Sequence, residues 1–107
     1  MQPRLPDMPT VPYYAVIFTS IKQPEAGQDY VDMAREMEDL VRNQPGYLGH
    51  ESARDSLGIT VSYWDSLEAI AAWKKEARHR MAQQLGREKW YQHYTIRICK
   101  VEKEYSF

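Results

Sequence analysis

The 107-residue sequence has little with which to cross-link itself, coordinate a metal or cross a membrane. Its single cysteine, Cys99, excludes an internal disulfide framework and a multi-cysteine zinc site, and suits a reducing compartment. A run of about 18 apolar residues is absent, which excludes a membrane-spanning helix. The opening Met1-Gln2-Pro3-Arg4-Leu5-Pro6 lacks the apolar core of a secretory signal, so a cytoplasmic location is expected. Excess charge is missing too. Fourteen basic residues stand against fifteen acidic ones, net −1, and leave no electrostatic footprint for nucleic acid. There is no phosphate loop or dinucleotide fingerprint, because Gly46-Tyr47-Leu48-Gly49 reads as a turn into a strand. Three histidines are spread out with no acidic partner at ligand spacing, so no metal site is expected. What the chain does have is aromatics: three Trp, eight Tyr and two Phe, 12% of all residues. Side chains this large must fill a core, an interface or a pocket.

Residues 1–12 hold four of the six prolines and no periodicity, and read as an irregular arm preceding a single domain over 13–107. Tyr13 to Ser20 is a strand by its aromatic and β-branched content. It is apolar at both parities, so it must be covered on both sides. After a turn at Pro24 and Gly27, with Gln28 or Asp29 as N-cap, helical spacing begins. Tyr30, Met33, Ala34, Met37, Leu40 and Val41 share one face, and the charges of this helix form a solvated face. Asn43-Gln44-Pro45-Gly46 ends it. Tyr47–Arg54 and Ile59–Trp64 form an antiparallel hairpin. Asp65-Ser66-Leu67-Glu68 has the form of a capping box with Asp65 as N-cap. It opens a second helix with Leu67, Ile70, Ala71 and Ala77 on one face, Trp73 at its edge, and an end near Leu85 or Gly86. The last strand runs from about Tyr91 to Glu104, with a bulge expected where Val101 breaks the alternation of Tyr94, Ile96 and Ile98.

The order β-α-β-β-α-β defines an α+β class, the ferredoxin-like split βαβ, with both helices on one face of a four-stranded antiparallel sheet. Two helices cover only one side of such a sheet. The doubly apolar first strand and the apolar tail at Tyr105 and Phe107 therefore predict a homodimer closed by sheet-to-sheet packing.

The segment Ser62-Tyr63-Trp64-Asp65-Ser66-Leu67-Glu68-Ala69-Ile70-Ala71-Ala72-Trp73 resembles the signature of the antibiotic biosynthesis monooxygenase superfamily. Pro45-Gly46-Tyr47-Leu48-Gly49, His79-x-x-Ala82-Gln83-x-x-Gly86-Arg87-x-x-Trp90-Tyr91 and Val101-Glu102-Lys103-Glu104-Tyr105 are similar to its small stand-alone bacterial members. The resemblance covers roughly 13–107. It implies a dimeric α+β barrel and, less specifically, an activity. Some members are cofactor-free oxygenases of phenolic polyketides or quinols, others bind or degrade haem, and fold alone does not choose between them.

The pocket of such a fold lies between the helices and the sheet. Trp73 reads as an aromatic wall offering an indole N–H, or as a core anchor. His79 reads as a general base or an axial ligand to haem iron, or else as a solvent-facing residue. On an unbroken helix His79 faces away from Leu67 and Ile70. It reaches the pocket only if the helix breaks near Lys74–Arg78, after which His79, Gln83, Arg87 and Trp90 share a face. His50, with the parity of Leu48 and Ser52, points into the pocket or toward the dimer seam. Tyr14, Tyr63, Trp90 and Tyr94 add hydroxyl and indole donors around an aromatic ligand, or fill core and interface. Trp73 and His79 are the catalytic candidates; Tyr14, His50, Tyr63, Gln83, Trp90 and Tyr94 are the substrate-binding ones.

The leading expectation is a monooxygenase of planar phenols or quinols that needs no cofactor, the substrate's own electrons reducing dioxygen. Haem is the alternative ligand, through His79. Haem-degrading relatives, as the resemblance implies, carry an Asn on the first strand and a His ten residues after the helix Trp. Here Tyr13–Ser20 contains no Asn and Gln83 stands at that distance, so degradation is disfavoured. A dimeric small-molecule binder without turnover is the third reading.

Overall fold

The computed structural model describes residues 10–83 and 90–107, and for residues 79–83 the backbone alone. Its elements are β1 (Tyr13–Lys22), α1 (Gln28–Val41), β2 (Tyr47–Arg54), β3 (Gly58–Trp64), α2 (Leu67–Gln83) and β4 (Tyr91–Val101). The strands form one antiparallel sheet in the order β2-β3-β1-β4, the ferredoxin-like α+β arrangement. Of the expected arm, all but residues 10–12 lies outside the described residues. No helix among the described residues is long and apolar enough to cross a membrane.

The central place of β1 accounts for its lack of alternation. It pairs with β3 on one side and β4 on the other, and both of its faces carry layers of side chains. Register places Tyr14 beside Trp64 and Lys100, Val16 beside Ser62 and Ile98, and Phe18 beside Thr60 and Ile96. On this face Val41 of α1 and Ile70 of α2 close over Trp64, which is fully buried, with Tyr14, Val16, Tyr47, Ala69 and Trp73 around it. Truncating a buried Trp to Ala costs about 3–5 kcal/mol, so Trp64 is the main pin between helices and sheet. At the other end of the same face, Phe18 stacks on Tyr94 at 5.4 Å and meets Tyr91 edge-on, and Tyr91 in turn meets Tyr30 of α1. The opposite face holds Tyr13, Ala15 and Ile17 of β1, Val61 and Tyr63 of β3, and Cys99 and Val101 of β4.

Three local expectations are corrected, and one condition is not met. Gly27, not Gln28 or Asp29, precedes α1, and no side chain caps it. Asp29 instead accepts a hydrogen bond from Trp90 Nε1 at 3.2 Å, tying the entrance of β4 to α1. The cap of α2 is Ser66, whose Oγ accepts from the Ala69 N–H at 3.1 Å, because the Asp65 N–H is already given to the Gly46 carbonyl at 2.9 Å. That shift of one residue rotates the buried stripe of α2 onto Ala69, Ile70 and Trp73 and leaves Leu67 and Ala71 exposed. Val101 sits in regular register opposite Tyr13, sharing a face with Cys99. The irregularity of β4 lies at its other end, where His93 and Tyr91 face Ile21 and Lys22. Finally, α2 runs without interruption through Lys74–Arg78, since charged residues there are compatible with a helix whose exposed side is polar.

Candidate active site

The unbroken α2 removes the change of helix face on which a pocket role for His79 rested. The side chains of His79 and Gln83 lie outside the described residues. Trp73 is one turn on from Ile70. It is half-buried, and its indole stacks on Trp64 with centroids 6.3 Å apart and planes 26° from parallel. Trp64 donates its own Nε1–H to Ser62 Oγ at 2.9 Å, which fixes the orientation of the lower ring of the stack. Beside the stack the sheet face continues through Val16 to Ile98 and Ile96, which are 49% and 43% exposed although they lie on the helix-covered side. Ile98 and Ile96 are thus an exposed apolar strip on the same face, one strand beyond Val16, which itself packs against the Trp64 cluster.

The third wall comes from the start of β2. Gly46 adopts φ +84, and an added Cβ there would meet Asp65 Oδ1 at 2.5 Å and the Ala69 methyl at 2.6 Å. The turn is thereby wedged against the start of α2, and Tyr47 is delivered edge-on to Trp64 at 5.6 Å. One residue later the strand carries a bulge: Tyr47 pairs with Trp64, Gly49 with Tyr63, and Leu48 is extra. In a regular strand residues three apart point to opposite faces. The extra residue brings Tyr47 and His50 onto the same face, as bulges beside functional sites often do. Gly49, at φ 146, occupies the positive-φ conformation this requires.

Tyr47 Oη and His50 Nδ1 are hydrogen-bonded, and His50 Nε2 lies 3.1 Å from Glu38 Oε1 on α1. A carboxylate only accepts, so Nε2 carries the hydrogen. In the neutral imidazole Nδ1 then accepts and Tyr47 donates. The chain of bonds is Tyr47 O–H to His50 Nδ1, and His50 Nε2–H to Glu38. Arg42 Nη2 stands 3.9 Å from Glu38. Burial raises the Tyr47 phenol above its ordinary pKa, the Arg42 charge works against that and the Glu38 charge adds to it, so Tyr47 keeps its proton. Glu38 and Tyr47 were not expected at the site. Glu38 read as part of a solvated helix face, and the bulge that turns Tyr47 toward His50 is signalled only by Gly49 within the strand.

Tyr14 and Trp73 both pack against the Trp64 cluster, His50 reaches it only through Tyr47, and Tyr63, Trp90 and Tyr94 stand apart from it. Tyr63 lies on the opposite face because it pairs with Ala15 and Gly49, out of phase with Trp64. There it donates to Glu51 and meets Tyr13 edge-on at 5.8 Å, while Tyr13 donates to Glu104 at 2.7 Å. Trp90, 1% exposed, is an anchor for β4 held by Asp29, and Tyr94 belongs to the Phe18 cluster at the far end of the sheet. His93 is exposed, with its Nε2 3.2 Å from Thr95 Oγ1. No group of three or more His, Cys, Asp or Glu side chains among the described residues is placed to hold a metal. The open depression on α1, lined by Asp32, Arg35, Glu36, Asp39, Leu40 and Asn43, includes none of the expected site residues.

Comparison with known proteins agrees with this architecture. The model of the family described as antibiotic biosynthesis monooxygenase matches residues 12–85. The uncharacterized protein YqjZ of Bacillus subtilis is 46% identical over 101 residues, which are 92% of this chain and 88% of that protein. The jasmonate monooxygenase ABM of Pyricularia oryzae is 26% identical over 82% of this chain, and the match spans 43% of the length of that larger protein. Among solved structures, the Pseudomonas aeruginosa protein PA3566 superposes with a TM-score of 0.67 at 16% identity, covering 89% of this chain and 97% of the other. The Shewanella oneidensis protein SO0527 does so at 0.69 and 8% identity, covering 84% and 91%. At such identities these two structures speak for the fold alone. By the family match and its near relative in Bacillus, the chain belongs to the antibiotic biosynthesis monooxygenase family.

Proposed function

We propose that this protein is a cofactor-independent monooxygenase of planar phenols or quinols, with its substrate lying against Trp73 between the helices and the sheet. The observation that carries this reading is half-buried Trp73 stacked on fully buried Trp64, on the sheet face where Val16 packs against the same cluster and Ile98 and Ile96 of the next strand are exposed. A flat aromatic ring gains both buried apolar area and offset stacking there. The indole N–H of Trp73 and the hydroxyl of Tyr14 supply donors to the substrate oxygen, favouring the phenolate over the phenol. The phenolate's own electrons reduce dioxygen: one oxygen atom enters the ring to give the quinone, and the other leaves as water. Family membership supports the reaction class, and the name of the Pyricularia relative supports oxygenation of a small organic molecule. Trp73 and Tyr14 bind in this reading, and it needs no part of His79.

The working unit is a homodimer. Ile59 and Ile21 are 41% and 39% exposed on the face opposite the helices, and Tyr105 and Phe107 beyond β4 are exposed as well. A second sheet packed on that face buries the isoleucines. The test of function is oxygen uptake with a panel of quinols and naphthols. Wild-type protein consumes oxygen with at least one of them, and Trp73→Ala loses most of that rate while keeping its fold. Absence of uptake across the panel would reject the oxygenase reading. Ile59→Lys tests the dimer: the variant elutes at half the mass of wild type, and wild-type protein that is itself monomeric rejects the sheet-to-sheet pairing.

A further inference from the structure

We infer that Tyr47, His50 and Glu38 form a proton relay that takes the hydroxyl proton from the bound phenol and leads it out to solvent. The inference rests on the reading of Trp73 as the wall of a phenol site. Its own basis is the bulge at Leu48, which places Tyr47 and His50 on one face, together with the two consecutive hydrogen bonds that link them to Glu38. Tyr47 is the end of the relay nearest the indole pair, in edge contact with Trp64. Glu38 is the outer end, its side chain 47% exposed. A phenol–imidazole–carboxylate series running from the aromatic cluster to water adds little to stability that a single bond would not. It is suited to carrying a proton between the aromatic cluster and water.

The step balances without an electron changing hands. The substrate O–H bond breaks as an O–H bond forms on Tyr47 Oη, and the proton already on Tyr47 moves to His50 Nδ1. The proton on His50 Nε2 moves to Glu38, which releases it to solvent. The substrate is left as the phenolate that dioxygen oxidises. The overall reaction, phenol plus dioxygen to quinone plus water, consumes no net proton, so the reverse hop along the same atoms resets the relay. Burial keeps the Tyr47 phenol protonated, as a carrier must be. Among the described residues the charged or titratable groups around His50 are Tyr47 on its own strand and, on α1, Glu38 with Arg42 beside it.

The experiment is steady-state oxygen uptake by Tyr47→Phe and His50→Gln with two naphthols, one weakly acidic and one fluorinated so that it is already ionised at the assay pH. Tyr47→Phe keeps the ring against Trp64, and Gln at position 50 still bridges Tyr47 and Glu38, so both variants retain the fold. With the weakly acidic naphthol kcat falls about 100-fold in each at little change in KM, the scale of general base catalysis. With the ionised naphthol wild type and variants agree within a few fold. Equal losses on both naphthols, or no loss on either, overturn the relay and leave the phenol site standing. Failure of wild type to turn over any naphthol overturns the site reading and the relay with it.

Discussion

Replacing Gly46 by alanine tests how β2 and α2 are joined beneath the proposed site. Gly46 has φ +84, and a left-handed conformation costs an L residue roughly 1–2 kcal/mol. A methyl there would also stand 2.5 Å from Asp65 Oδ1 and 2.6 Å from the Ala69 Cβ. The Asp65 carboxylate can swing away. Ala69 cannot, because its N–H is held by Ser66 and its methyl sits in the first turn of α2 against the Trp64 cluster. Overpacking of this kind adds typically about 1–3 kcal/mol. The expected loss is therefore about 2–5 kcal/mol, a fall in Tm on the order of 10 °C or more for a domain of this size. Urea denaturation followed by tryptophan fluorescence measures it directly, since Trp64 reports on this junction. One control localises the cause. The double variant Gly46→Ala/Ala69→Gly recovers roughly 1 kcal/mol relative to the sum of the singles, the signature of direct contact. A Gly46→Ala protein within about 0.5 kcal/mol of wild type would refute the reasoning, because neither the backbone cost nor the collision could then exist.

Two further outcomes follow from the same geometry. Ser66→Ala lowers stability by about 1 kcal/mol through loss of the cap on the Ala69 N–H, whereas Glu68→Ala stays within about 0.5 kcal/mol; equal losses in denaturation experiments would restore the capping box centred on Asp65. Tyr13 and Tyr63 are each pushed up to about 12, first by burial and then by their hydrogen bonds to Glu104 and Glu51. The fold therefore favours their neutral phenols. That stabilisation is complete below the ordinary value of 10 and is lost as the pH climbs through about 12, so an ultraviolet titration resolves a late tyrosinate phase that coincides with alkaline unfolding. Ionisation of all tyrosines in a single phase near 10 would contradict it.

The architecture was legible because each element carries its own period. Of the apolar positions expected on one face of α1, Tyr30, Met33, Met37, Leu40 and Val41 turn inward and only Ala34 is exposed, and the double-sided apolarity of β1 corresponds to its place between β3 and β4. Where reading failed, a one-residue change of phase was responsible. On α2, moving the cap from Asp65 to Ser66 exchanges Leu67 for Ala69 in the buried stripe, because one residue is about 100° of helix. On β3, strict alternation sends Tyr63 to the face opposite Trp64, although the two are adjacent in the motif that carries the family resemblance.

The start of β2 shows why the centre of the candidate site was hidden. Alternation pairs His50 with Leu48 and Ser52 and assigns Tyr47 to the other side. Pairing with β3 instead leaves Leu48 as an insertion, and from that point the phase reverses. A bulge is a property of two strands, settled by which register buries Trp64 under Tyr47, and no window of β2 alone contains that information. Glu38 was hidden for a related reason. It lies 12 residues before His50 and on a helix whose outer side is uniformly charged, so nothing local distinguishes it from Glu36 or Asp39. What distinguishes it is the crossover from α1 to β2, which brings that one carboxylate over the imidazole. The candidate relay is thus a product of topology and phase, and residues of this kind are found by asking which polar side chains a register change brings face to face.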